Sequence, residues 1–290
     1  MSNLLESYNK ILALLHTLDG KDNYRQQVRP PKMTDKQLIA LCLAAESQGI
    51  DSERYLFRQL PSELLVIIER SVYNRRRRAL SPKIEDFRQA MSHAIVPVET
   101  YHVVDSMPLE ICRFSRAARS RICQREVETA PDYGYCAAHK MHYFGYKLHA
   151  VCTVQGVLRN VGITKASCHD IHYINDIRDD LNACVLIGDK GYLSQTLQLD
   201  LFDNHGLKLN TPMRKNQQDY KPFPQAFSKV RKRIETLFSQ LCDQFMIRRN
   251  YAKSFEGFSA RIISKVAALT LIQWINHQAG REINHLKIMI

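Results

Sequence analysis

Apolar residues recur at intervals of three and four through the first hundred positions. Leu4, Leu5, Tyr8, Ile11, Leu12, Leu14 and Leu15 trace one face of a first helix. Thr34 is placed to cap a second helix over 35–47, with Leu38, Ile39, Leu41 and Leu43 on its apolar side. Further helical stretches are predicted over 51–60, 61–72 and 82–95. Four consecutive arginines, Arg75 to Arg78, lie between the last two. Such a run reads as a solvated face or as a phosphate contact.

The period changes near residue 100. His102-Val103-Val104-Asp105 reads as a short buried strand that ends in an acid. Residues 144–154 alternate and are rich in aromatic and β-branched side chains. Gln155-Gly156 interrupts them, and 157–164 alternates again, which is a hairpin signal. A helix is predicted over 170–181. Cys184 to Ile187 form a continuous apolar run, as in a strand covered on both faces, and lead into Gly188-Asp189-Lys190-Gly191-Tyr192. A helix over 195–204 and a strand over 207–211, closed by Pro212, follow. After a proline-containing loop at 221–224 comes an amphipathic helix over 225–244, whose stripe is Phe227, Val230, Ile234, Leu237, Leu241 and Phe245. The chain ends in helical sequence over 258–277. Strand, hairpin, helix, strand, helix, strand and long helix in that order predict an α/β fold, a mixed sheet flanked by helices. An all-helical N-terminal domain over 1–98 precedes it. The α/β domain is expected over 99–290, including the C-terminal helices.

Charge sharpens the picture. The chain has 290 residues and a net charge of +12. Residues 183–290 contribute +8 of it, from 16 basic and 8 acidic side chains. A concentrated basic excess fits a polyanion, and nucleic acid is the usual one. No uncharged apolar run reaches the roughly 18 residues a membrane helix needs, so no membrane partner is expected. The N-terminus starts with polar residues and lacks a basic region before an apolar run and a small-residue cleavage site, so no export signal is expected. With eight scattered cysteines, free thiols in the cytosol are expected.

Asp105 and Asp189 each follow an apolar strand, where a carboxylate is costly unless something compensates it. A divalent cation compensates well, and oxygen donors suit magnesium. Glu235 lies on the long amphipathic helix beside Ile234, and Arg231 stands four residues earlier on the same face. Taken singly, each acid reads as a turn residue, a helix cap or a surface pair. Together they form a constellation.

That constellation, in VVDSMPL, LIGDKGY and RKRIETLFSQL, resembles the DDE-type transposases of bacterial insertion sequences. FGYKLHAV, His169-Asp170 and Pro212 to Asn216 (PMRKN) add to the likeness. Related families carry a Tyr-x-x-Arg-x-x-x-Glu-x-x-x-x-x-x-Lys helix. Arg231 and Glu235 match it, whereas Ser228 and Cys242 stand at the tyrosine and lysine positions. The resemblance implies a ribonuclease H-like core in which Asp105, Asp189 and Glu235 hold magnesium, with manganese able to substitute. It implies cleavage of DNA at terminal inverted repeats, then strand transfer to target DNA, by a homodimer associated with the nucleoid. A metal-dependent nuclease of the same fold and a non-catalytic DNA-binding protein are the alternatives. Arg231, Lys190, Arg214, Lys215, Lys229 and Arg233 are expected to hold phosphates near the acids. Lys232 reads equally as a solvated helix face. The N-terminal helices are expected to bind DNA ends or to dimerise.

Other groups read more plainly. Cys136, His139 and His142 have a possible zinc spacing, but with Cys112 and Cys123 they lack the paired pattern of a structural zinc site, and unliganded side chains are expected. Asp170 is expected to cap the helix that follows it. Trp274 is expected in a core or an interface.

Overall fold

The computed structural model describes residues 4–26, 28–138, 140–181, 183–214, 216 and 220–286. The chain runs α1 (Leu4–Leu18), α2 (Asp35–Ser47), α3 (Glu53–Gln59), α4 (Ser62–Leu65), α5 (Arg70–Ala79), α6 (Ser81–Ile95), then β1 (Tyr101–Glu110), β2 (Asp132–Cys136), β3 (Met141–Thr153) and β4 (Leu158–Lys165). It continues through α7 (His172–Ile177), β5 (Val185–Ile187), α8 (Gln195–His205), β6 (Lys208–Asn210), α9 (Gln225–Asp243) and α10 (Phe255–Gln278). Two compact units result: residues 1–95 with 241–290, and residues 96–240.

The first unit is helical. Thr34 closes a full capping box at α2: its side chain accepts from the Gln37 N–H, and Gln37 accepts from the Thr34 N–H. α2 and α10 are buried around most of their circumference, so neither shows a clear polar face. By length and composition α10 could cross a membrane, yet 83% of its most apolar window is buried inside the protein. It packs against α2, α5 and α6, and Trp274 lies in this core. The C-terminal helix was expected with the sheet. It lies instead with the N-terminal helices, because a helix apolar on all sides needs partners all round. The arginine run also departs from a solvated face. Arg75 is exposed, but Arg76 and Arg77 are buried. Arg76 pairs with Asp35 at 2.7 Å, and Arg77 with Glu53 at 3.0 Å.

The second unit is a mixed α/β body on a six-stranded sheet of order β2-β3-β1-β5-β6, with β4 also paired to β3. β1, β5 and β6 are parallel; β3 is antiparallel to β1, β2 and β4. The predicted hairpin is β3–β4. β1 does not stop at Asp105, as the sequence suggested, but continues to Glu110. The extension includes Pro108, which cannot donate to a ladder. β5 pairs only with Tyr101 to Val103, so beyond that point β1 has a strand on its β3 side alone and tolerates the proline. Gly145 lies opposite Glu110 and cannot be replaced cheaply, because a Cβ there would strike the Leu109 carbonyl oxygen. On one sheet face Val104, Val151 and Leu186 pack with Tyr173, Ile174 and Ile177 of α7 and with Leu201 of α8. α9 buries Ile234 and Leu237, and Phe227 meets Tyr101 with ring centroids 6.2 Å apart.

Candidate active site

Asp105 sits in the middle of β1, directly after the fully buried Val103 and Val104. Asp189 lies two residues past the end of β5. Val103 pairs with Ile187 in the parallel register, so each aspartate stands two residues beyond the same pair. This brings the two aspartates level, one on β1 and the other just past the end of β5. Asp189 also shapes its own turn: its Oδ1 accepts the Gly191 N–H at 2.7 Å and caps the single 3₁₀ turn Lys190–Tyr192.

Asp170 joins them. It does not cap α7, whose N-cap position is Ile171, with no side-chain cap. Its Oδ1 accepts from Ser106 Oγ at 3.0 Å and from Lys147 Nζ at 2.9 Å, and His149 Nδ1 lies 4.0 Å away. That commitment, not helix capping, fixes Asp170, and the helix predicted over 170–181 shrinks to α7. A Cβ on Gly191 would lie 2.9 Å from Asp189 Oδ1 and 3.6 Å from Asp170 Oδ2. Glycine at 191 therefore lets both carboxylates close on this turn.

The electrostatics follow. The Asp105 carboxyl is raised to about 6, chiefly by burial and also by Asp189 and Asp170, against the Ser106 N–H and Arg231, which pull it down. Arg231 Nη2 stands 3.6 Å from Asp105 Oδ2. Burial lowers the His149 imidazole to about 4; Lys147 adds to the fall and Asp170 opposes it. His149 is therefore neutral at pH 7, with Nε2 2.8 Å from Thr164 Oγ1. The Tyr192 hydroxyl is buried and has no hydrogen-bond partner among the described residues. Burial, then Asp170, Asp105 and Asp189, push it well above its ordinary value.

Glu235 is not gathered into this group. It is exposed on α9, one turn past Arg231. No cluster of three or more His, Cys, Asp or Glu that could hold a metal ion forms among the described residues. Arg231, expected to hold phosphate, is turned to Asp105. Lys190, Arg214, Lys229, Lys232 and Arg233 are exposed, and Lys215 lies outside the described residues. His139 of the zinc spacing also lies outside them. All eight cysteines are free thiols. Asp170, Lys147, His149 and Tyr192 are the site residues that sequence reasoning passed over. The signal was present: a lysine and a histidine two apart on an otherwise apolar strand must share a face, and each must find a polar partner there.

A mixed α/β sheet that brings two aspartates level at adjoining parallel strands, with an arginine beside one, makes a carboxylate pair the centre of this site. Residues 99–271 match the family model described as transposase DDE domain, and the chain belongs to this family of DDE-type insertion-sequence transposases. No curated protein and no solved structure matches the chain.

Proposed function

We propose that the protein cleaves DNA at the ends of an insertion sequence and transfers the strands to target DNA, with Asp105, Asp189 and Glu235 as the acids of the reaction. The observation that carries this reading is the level placement of Asp105 and Asp189, two residues past the Val103–Ile187 pair. The strand order, with β3 antiparallel beside three parallel strands, supports a ribonuclease H-like core. The helical unit would supply DNA-end binding or dimerisation, and a homodimer would hold two ends together in the nucleoid.

The donor set fits a hard divalent cation. Oxygen ligands suit magnesium or manganese, and burial and neighbouring acids hold the Asp105 carboxyl at about 6, a surplus of negative charge that a cation would relieve. Asp105 and Asp189 would hold the metal, and Glu235, exposed on α9 and not gathered with them, would have to turn toward the pair to serve as the third acid. When bound, such ions align the attacking and leaving oxygens of a phosphodiester displacement. The residues around them position the acids: Gly191 leaves room beside Asp189, and Asp170 ties β1 through Ser106 to β3 through Lys147. Lys190, Arg214, Lys215, Lys229 and Arg233 would grip phosphates, and Arg231 would do so on leaving Asp105.

Magnesium-dependent cutting of the DNA flanking the gene tests the reading. Asp189→Ala should lower strand cleavage at least about a thousandfold, a loss typical of a key electrostatic group, while binding to the same DNA stays within a few-fold. Cleavage by this variant at the wild-type rate would refute the assignment. Pre-cut ends incubated with target DNA then separate a transposase from a nuclease that cuts without joining.

A further inference from the structure

The segment between β1 and β3 carries a surface that the acids do not use. Phe114, Tyr133 and Tyr135 are 49%, 49% and 54% exposed, and His142 is exposed beside them. Their rings form one connected line. Tyr133 meets Phe114 at 5.9 Å, Phe114 meets His142 at 6.0 Å, and His142 meets Tyr135 at 4.9 Å between centroids. Sheet pairing fixes half of it, because Tyr135 and His142 are opposite each other in β2 and β3. Phe114 comes from the 3₁₀ helix Phe114–Arg119, which also bears Arg116 and Arg119. Residues 111–125 contain five arginines and no acid. Arg113, Arg116, Arg119, Arg121 and Arg125 are all exposed.

Exposed rings carry a hydrophobic cost, and these remain about half exposed despite packing on one another and, for Tyr133, on the buried Phe144. A ligand with flat faces and negative charge accounts for both features. Paired bases in a duplex hide their faces in the stack, whereas unpaired bases offer them to aromatic side chains while arginines follow the backbone. We propose that this aromatic and arginine surface binds a single-stranded stretch of DNA. The inference rests on the reading that the protein acts on DNA, and it names which form of DNA this surface takes. Its position suits that task. His142 lies eight residues along β3 from Ala150, the partner of Asp105. At about 3.4 Å per residue this is roughly 27 Å, so the surface would hold a strand near the acids without covering them.

The test uses the full chain with Asp189→Asn, in chelator, so that no DNA is cut. Fluorescence anisotropy compares an oligothymidylate of about 20 nucleotides with a duplex of the same length. Tyr135→Ala and Phe114→Ala should each weaken oligothymidylate binding about tenfold, as base stacking on one ring implies, and leave duplex binding within twofold. Tyr135→Phe should keep the affinity, because the ring face survives. Arg116→Ala should flatten the salt dependence of single-strand binding by about 0.7 in the log–log slope. Tyr135 is half exposed, so its variant tests the surface even if Phe114→Ala unfolds. Equal losses on both DNA forms, or no loss on either, would overturn the proposal. So would ring variants that dissociate an oligomer while oligothymidylate binding stays intact, since a second copy would then be the occupant. If the parent chain binds the duplex but not oligothymidylate, this inference alone fails; if it binds neither, the DNA reading fails.

Discussion

The two units treat buried charge in opposite ways. In the helical unit each buried acid has a cation in contact. Asp35 meets Arg76 at 2.7 Å and also accepts the Tyr24 N–H, and Glu46 meets Lys265 at 2.7 Å with Arg77 at 3.9 Å. Lys265, itself fully buried, spends a second bond on the Phe245 carbonyl. In the sheet unit Lys147 answers Asp170, but Asp105 and Asp189 crowd together with only Arg231, at 3.6 Å from Asp105, between them and an excess of negative charge. Pairing serves the fold in the first case. In the second the aspartates are left with little pairing, and burial first, then Asp189 and Asp170, lift the Asp105 carboxyl to about 6. A buried carboxylate short of partners in the middle of a strand is a candidate functional group, because the fold itself gains nothing from its charge.

The contrast breaks hardest at Lys265. Replacing it with Met leaves Glu46 in the core without its closest partner, which should cost about 3–5 kcal/mol and show as a lower urea midpoint. The double change Lys265→Met with Glu46→Leu should recover most of that loss, because removing both charges removes the burial penalty too. If the single variant unfolds at the wild-type midpoint, the helical unit does not depend on its internal pairs.

Asp105→Asn should act with the opposite sign. The folded carboxyl, at about 6, lies above the ordinary 3.8, so the native state holds the proton more tightly than the unfolded chain does. Its contribution is full below about pH 4 and is lost as pH rises through 6. At pH 8 without divalent metal, Asn removes a penalty on the order of 1–3 kcal/mol, and the melting temperature should rise by a few degrees. At pH 4 the gain should vanish. Adding magnesium should stabilise the wild type and not the variant, since only a ligand bound to the folded state raises stability. A variant that melts lower than wild type at pH 8 would mean that Arg231 already compensates Asp105 in full.

Much of this contrast could be seen in the sequence, and its limits have physical causes. The hairpin, the apolar strand before Asp189 and the stripe of α9 follow from period alone, because local alternation matches the face each element buries. Asp105 and Asp189 were visible because an acid directly after an apolar run has few neighbours to satisfy it. Asp170 was hidden: next to a helix start, an aspartate that caps and one that reaches across to β1 and β3 have the same local sequence. The extent of β1 was hidden because it is set by how far its partners reach: β3 pairs with it to Glu110, whereas β5 stops at Val103. Glu235 shows the limit from the other side. Its helix was clear, but the chain alone does not reveal that it stands exposed while Arg231 takes the place beside Asp105.

The arginine run gives the finest test, because four identical residues in a row carry no pattern of their own. Helical geometry alone divides them, at about 100° per residue: Arg76 and Arg77 face inward to Asp35, Glu46 and Glu53, while Arg75 points to solvent. Arg75→Ala should therefore change stability by no more than about 0.5 kcal/mol, read as an unchanged urea midpoint. Its remaining use is electrostatic. If the helical unit grips DNA ends on this side, the same variant should lower the log–log salt slope of duplex binding by about 0.9, one phosphate contact, with no change in fold. An unchanged slope would leave Arg75 a solvated residue and move any end-binding surface of this unit elsewhere. A lowered midpoint would instead show that the exposed arginine supports its buried neighbours, and the division between paired and free charge would then run through the helical unit as well as between the two.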